Sequence, residues 1–151
     1  MRDEFNVFEA IKEVLNLKQK AQRNCLYSSQ LNLPKQLKLK GSRSKFQKIL
    51  FHLLQNAKQA YQYPQSNQII LLIALINDQQ QLVVSVTDGG VGLSWLEKKY
   101  LEKFALRLGE NQQHRHLQEV LHSLKIDFAG NLQLISAKHR GTTARCTFNL
   151  Q

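Results

Sequence analysis

Apolar residues recur along this chain with two periods, and the switches between them outline the elements. From Phe5 to about Asn24, Phe5, Phe8, Ile11, Leu15 and Ala21 fall on one face of a helix, with Asp3 and Glu4 favouring its start. Residues 25–31 and 37–39 read as short strands around a turn at Pro34. Gly41-Ser42 breaks the chain, and Ser42 or Ser44 is placed to cap a second helix. That helix carries a buried stripe of Phe46, Ile49, Leu50, Leu53, Leu54, Ala57, Ala60 and Tyr61, and stops near Tyr63-Pro64. Residues 69–76 and 82–87 predict an antiparallel hairpin across Asn77-Asp78-Gln79-Gln80. After a glycine-rich stretch, 93–104 reads as a short helix, and 105–116 has little periodicity and reads as a mobile loop. A third helical face appears over 117–127, on Leu117, Val120, Leu121 and Leu124. Residues 132–136 and 143–150 close the chain as strands that turn at His139-Arg140-Gly141.

Strands outnumber helices but are short. The expected fold is an α/β (α+β) two-layer sandwich, a mixed, mostly antiparallel sheet with helices on one face. At 151 residues, with 42% hydrophobic and 21% charged positions, the chain matches one compact domain over 1–151 with a real core. There is no internal repeat, linker or low-complexity segment. The longest greasy stretch, 69–76, is too short to span a bilayer, and no signal peptide is evident. Cys25 and Cys146 both sit in strand-like apolar surroundings and read as small buried residues of a reducing compartment. The formal net charge of +10 favours acidic partners without choosing among them. Nucleic acid is one such partner, but no recognition motif supports it and aromatics do not alternate with the basic residues.

Two stretches carry candidate chemistry. On the second helix, Lys48, His52 and Asn56 step at intervals of four and share one polar edge, off the apolar stripe. The run LVVSVT ends in the loop Thr87-Asp88-Gly89-Gly90-Val91-Gly92. An Asp before Gly-Gly is a turn former in any protein, and a polar residue on a helix edge is usually just solvated. As chemistry, a buried carboxylate at a strand end can accept a hydrogen bond from a base amino group. An Asn amide oxygen is a hard ligand suited to Mg²⁺. Glycines permit positive φ and close backbone approach to a ligand.

At these residues the chain resembles a known family. KFQKILFHLLQNAKQA is similar to the N-box, and TDGGVGL to the first glycine box, of sensor histidine kinases in the GHKL superfamily of ATPases. LEKFALRL resembles the F-box segment that precedes the ATP lid, and AGNLQLISAKHRGTTARCTFNL the closing hairpin. Four motifs in the family's order imply its catalytic ATP-binding domain, with ATP and Mg²⁺ as cofactors. The resemblance implies that Asp88 selects adenine, that Gly90 and Gly92 shape the loop, and that Asn56 holds Mg²⁺ against the phosphates. It places Thr143, in GTT, near the adenine pocket, and makes Arg107 a lid cation near the terminal phosphate. His52 stands where relatives carry Asn, or a water-activating Glu. It is open to a proton-transfer role or to a plain surface role. Lys48 is open to a phosphate contact or to simple solvation.

The lid end departs most from the pattern. Where the family has Gly-x-Gly-Leu, whose amides hold the triphosphate at a helix N-terminus, this chain has His114-Arg115-His116-Leu117. Either the histidines and Arg115 contact phosphate by side chain, or the site has decayed into a pseudokinase-like interaction module. The spacing of His114 and His116 points them apart on a helix, which argues against a metal site there. No segment resembles the family's phosphoacceptor box. The expected partner is therefore a separate dimerisation segment carrying the phosphoacceptor histidine, with a response regulator downstream. The expected location is the cytoplasm, with no membrane or nucleic-acid contact by this domain.

Overall fold

The computed structural model describes residues 3–22, 25–59, 68–88, 112–136 and 141–150. Among these residues seven strands and three helices follow in the order β1 (Glu4–Asn6), α1 (Val7–Ala21), β2 (Cys25–Asn32), β3 (Lys38–Lys40), α2 (Arg43–Gln59), β4 (Gln68–Ile76), β5 (Gln81–Asp88), α3 (Gln112–Phe128), β6 (Asn131–Ser136) and β7 (Thr142–Asn149). The main sheet has five strands in the order β2-β4-β5-β7-β6. Only the β2–β4 pair is parallel; the other pairs are antiparallel. The α/β sandwich and its mixed, mostly antiparallel sheet are as the sequence predicts.

The core lies between the sheet and the helices. Along β5 and β7 the even-numbered residues are buried, as the period of two requires. Leu82, Val84, Val86 and Asp88 face the helices with Thr142, Ala144, Cys146 and Phe148. From α2 come Phe46, Ile49, Leu50, Leu53, Leu54 and Ala57. Each large apolar side chain buried this way contributes about 1.5–3 kcal/mol, so this stripe holds α2 on the sheet. The β4–β5 hairpin turns where expected because the Asn77 side-chain oxygen accepts from the amides of Gln79 (3.0 Å) and Gln81 (2.9 Å).

Several local expectations differ from the structure. The first helix starts at Val7, not Phe5, because Asn6 caps it, its Oδ1 accepting from the Glu9 amide at 2.9 Å. Its buried face is Val7, Ala10, Ile11, Val14, Leu15 and Lys18, while Phe8 is half-buried. Phe5 is buried from a short strand instead. The strands on either side of Pro34 and the turn there form as expected, the Leu37 amide donating to the Pro34 carbonyl at 3.1 Å; β3 joins β1 in a separate two-stranded sheet, and β2 lies parallel to β4. The third helix begins at Gln112, so the last five residues of the expected 105–116 loop are helical. α3 lies against α2 and the sheet, and such tertiary packing outweighs weak local periodicity. The expected 93–104 helix and the stretch 105–111 lie outside the described residues.

Candidate functional site

Asp88 ends β5 and is 6% exposed, the only Asp or Glu among the described residues in the buried set. A buried carboxylate is costly unless its oxygens are used. Its cross-strand neighbours are Ile70 and Thr142. Thr142 is 9% exposed and, like Asp88, faces the helices. Gly141 just before it has φ +84, the left-handed region that favours glycine.

α2 brings Asn56 to this same end of the sheet. Its N-terminal Phe46 stacks at 5.0 Å on Phe148, which pairs with Leu82 at the start of β5. At the other end of α2, Gln55 accepts from the Lys18 amine at 2.7 Å, and the Lys58 charge is felt at the Cys25 thiol. Cys25 is paired with Gln68, and two residues along β4 Ile70 is paired with Asp88. Asn56 therefore sits, half-buried, at the end of the sandwich where β5 finishes and β2 and β4 begin.

α3 completes that end. It runs antiparallel to α2: Lys45 bonds Asp127 at 3.0 Å, and His52 Nε2 lies 3.1 Å from Glu119 Oε2. One further turn in that register brings Asn56 level with the first turn of α3, near residue 115. That first turn has no acidic residue. Arg115, and His114 and His116 beside it, belong to α3 by backbone; their side chains lie outside the described residues. Gly90, Gly92 and Arg107 lie outside them altogether.

The remaining candidates scatter. His52 is tied across to Glu119, its side chain 18% exposed. Lys48 is exposed and lines a cleft between α2 and α3, two turns back from Asn56. Thr143 points to the opposite face of the sheet, where its hydroxyl bonds that of Thr87 at 2.9 Å. Thr142, which no motif singles out, holds the place beside Asp88. Strand alternation could have found it, since Asp88 and Thr142 are register partners and register partners share a face.

Burial sets the ionisation of nearby groups. Desolvation raises the Cys146 thiol well above its ordinary value and raises Cys25 as well. Both cysteines are buried and unpaired by any disulfide. Burial, and then the Lys58 charge, lower the Lys18 amine. Among the described residues no three His, Cys, Asp or Glu side chains are grouped to hold a metal ion. Asn56 offers one hard oxygen, which fits a Mg²⁺ whose other ligands are phosphate and water rather than a protein cage.

Comparison with known proteins places this geometry in a fold. No family model matches the sequence, and no curated protein matches it. Solved structures do. The catalytic domain of the histidine kinase ThkA superposes with a TM-score of 0.79 at 20% identity, covering 99% of this chain and 97% of that one. The mycobacterial sensor histidine kinase MprB gives a TM-score of 0.74 at 14% identity, covering 98% and 97%. Full-length ShkA, solved in complex with AMPPNP, gives 0.74 at 13% identity, with 97% of this chain covering 30% of that one. The chain has the fold of the catalytic domain of sensor histidine kinases. No helix among the described residues is long and apolar enough to cross a membrane.

Proposed function

We propose that this chain is a histidine-kinase catalytic domain that binds Mg·ATP between the Asp88 end of β5 and the Asn56 edge of α2. It donates the γ-phosphate to a histidine on a separate dimerisation segment. The observation that carries the reading is the buried Asp88 carboxylate at the same end of the sandwich as Asn56 and the first turn of α3. The likeness in fold to ThkA, MprB and the AMPPNP-bound ShkA supports it.

Each residue has a role in this reading. Asp88 accepts a hydrogen bond from the adenine amino group, and Thr142 lines the base pocket beside it. Asn56 holds Mg²⁺, which neutralises phosphate charge when bound. The first turn of α3 lies toward the phosphates, and Gly90, Gly92, Arg107 and Arg115 keep the roles that the family resemblance gives them. Catalysis rests on positioning and charge neutralisation, with no covalent enzyme intermediate. His52 is committed to Glu119 and acts on the placement of α3 rather than on the reacting phosphate. The test is Mg-dependent binding of an ATP analogue to the wild type and to Asp88→Ala. Tight binding lost in the variant is expected; equal binding, or none in the wild type, overturns the reading.

A second reading has its own observation. His114, Arg115 and His116 lie inside α3 rather than in a glycine turn ahead of it. The sequence has no glycine at this helix start for close backbone approach to phosphate, as in a degenerate module that keeps the fold for protein binding. A thermal-shift series with ATP, ADP and Mg²⁺ decides between them, since the degenerate module shows no shift at millimolar nucleotide.

A further inference from the structure

The sheet has a second face, turned away from the helices. Along β4, β5 and β7 the odd-numbered residues make it, opposite the even-numbered ones that face the core. Arg145 is the only charged residue among them, in a chain with 21 lysines and arginines. A hollow of about 500 Å³ lies on this face, with Ile73, Leu75 and Val83 on its apolar side and Ser85, Arg145 and Thr147 on its polar side. Small-molecule sites have this size and this make-up, mostly apolar with a few placed polar groups.

Register sets the polar groups in a row. Ile73 pairs with Ser85, and Ser85 pairs with Arg145. The other polar side chains around the hollow are used within the chain. The hydroxyls of Thr87 and Thr143 bond each other at 2.9 Å, that of Thr147 accepts from the Asn131 amide at 3.1 Å, and Asn77 holds its turn. Arg145 is half-buried, makes no ion pair among the described residues, and has no acid beside it in the lining of the hollow. Neither its guanidinium nor the Ser85 hydroxyl makes a side-chain hydrogen bond among the described residues. A partly desolvated guanidinium in that position lacks the anion that its planar fork matches.

The apolar side runs on beyond the hollow. Leu71 and Ile69 follow Ile73 on the same face of β4, and Leu26 of β2 is the register partner of Ile69. Ile69 is 52% and Leu26 57% exposed. At about 3.3 Å per residue, Ile69 lies about 13 Å along the strand from Ile73. An aliphatic track thus leads away from a single unmatched cation.

We propose that this face binds a free anionic amphiphile, an aliphatic chain ending in one carboxylate. The carboxylate meets the Arg145 fork and the Ser85 hydroxyl, and the chain lies over Ile73, Leu71 and Ile69. One cation with no acid beside it matches one negative head, whereas an acidic protein segment calls for several spaced cations. A second copy of this chain would bring another guanidinium to the face and no anion. The site is independent of the nucleotide reading, because Asp88 and Thr142 face the other side of the sheet.

The experiment titrates decanoate, kept below its micelle-forming concentration, into ¹⁵N-labelled protein. Decyltrimethylammonium is the cationic control, and phosphatidylglycerol vesicles form a third arm. Decanoate is expected to bind saturably and to shift amides of residues 69–75, 83–87 and 143–147, while the cation does not bind. Arg145→Gln is expected to weaken binding about tenfold or more, the size of a lost hydrogen bond to a charged group. Ile69→Ser, at an exposed position, is expected to weaken it about threefold through lost apolar contact, and it carries the test if Arg145→Gln fails to fold. ATP-analogue affinity stays unchanged in both variants. The proposal is overturned by no saturable decanoate binding, by equal binding of the cation, by shifts confined to the helices, or by undiminished affinity in Arg145→Gln. Binding to the vesicles without binding of free decanoate overturns it in favour of a lipid surface, and a concentration-dependent dimer joined through these strands assigns the face to a second copy.

Discussion

The two ends of α2 are built from opposite materials. At its N-terminal end Phe46 lies 5.0 Å from both Phe5 and Phe148, and Phe128 stacks edge-on against Phe148 at 5.3 Å. Gly41 and Gly130 let the chain pass close to this cluster: a Cβ on Gly130 would meet the Thr147 carbonyl at 1.9 Å, and one on Gly41 the Phe128 ring at 2.8 Å. Hydrophobic burial and close packing dominate there. At the C-terminal end the same helix presents Gln55, Asn56 and Lys58, and the sheet beneath presents Asp88 and Thr142. Burial of a carboxylate works against folding. One end is an aromatic cluster that holds the sandwich together, and the other carries the polar groups on which the proposed nucleotide site rests.

Substitutions at the two ends should separate stability from binding. Gly130→Ala is expected to be among the most damaging, at ~3 kcal/mol or more, because the obstruction is backbone and neither side can yield cheaply. Phe46→Ala should cost as much, about 3–5 kcal/mol of lost stability by denaturant unfolding. The ATP-analogue affinity of its folded fraction should be unchanged. A loss of affinity in step with stability would break the division.

At the polar end the balance inverts. Asp88→Ala should lower ATP-analogue affinity about 10–100-fold, the cost of leaving a bound polar group without its partner, with little change in denaturation midpoint. If its stability fell as far as that of Phe46→Ala, Asp88 would be a structural residue. A smaller contrast sharpens the geometry further. Thr142→Val should weaken analogue binding by several-fold, about 1 kcal/mol for one hydrogen bond. Thr143→Val, on the far face, should leave it alone. The reverse result would restore Thr143 to the pocket and refute the strand register.

The smallest expected effect is in pH dependence. The buried Cys146 thiol is raised above its ordinary 9.0 by desolvation, so the folded state holds its proton more tightly than the unfolded state. Stability is therefore fully present below pH 9 and declines as pH rises beyond it. Cys146→Ala should flatten that alkaline slope in urea titrations between about pH 9 and 10.5. An unchanged slope would mean other groups, such as Tyr27, dominate; its hydroxyl is also raised by burial.

Much of this was legible in residue order, for reasons that differ by element. The β4–β5 hairpin could be read because alternation and an Asn-led turn are both local signals. The α2 stripe could be read because every member of it that lies in the described residues is buried, from Phe46 to Ala57. The start of α1 could not, since Phe5 satisfies a helical face and a strand equally well, and the Asn6 cap decides. The partners of β2 and β3 could not, because a parallel pairing and a crossover leave no local trace. At the candidate site, Asp88 and Asn56 stood out by residue type and motif. Thr142 and Thr143 are chemically identical neighbours, and only the pleat assigns one to each face.

The sequence alone determined the class of fold, the buried stripe of α2 and the two side chains on which a nucleotide reading rests, because period and residue type are properties of neighbours along the chain. Only the tertiary structure decided that Asp88, Asn56 and the first turn of α3 share one end, that His52 answers to Glu119, and that α2 and α3 frame an apolar cleft. Those facts depend on how helices cross a sheet and in which register they run. That is set by the sum of many side-chain contacts over the whole core, which no short stretch of sequence contains.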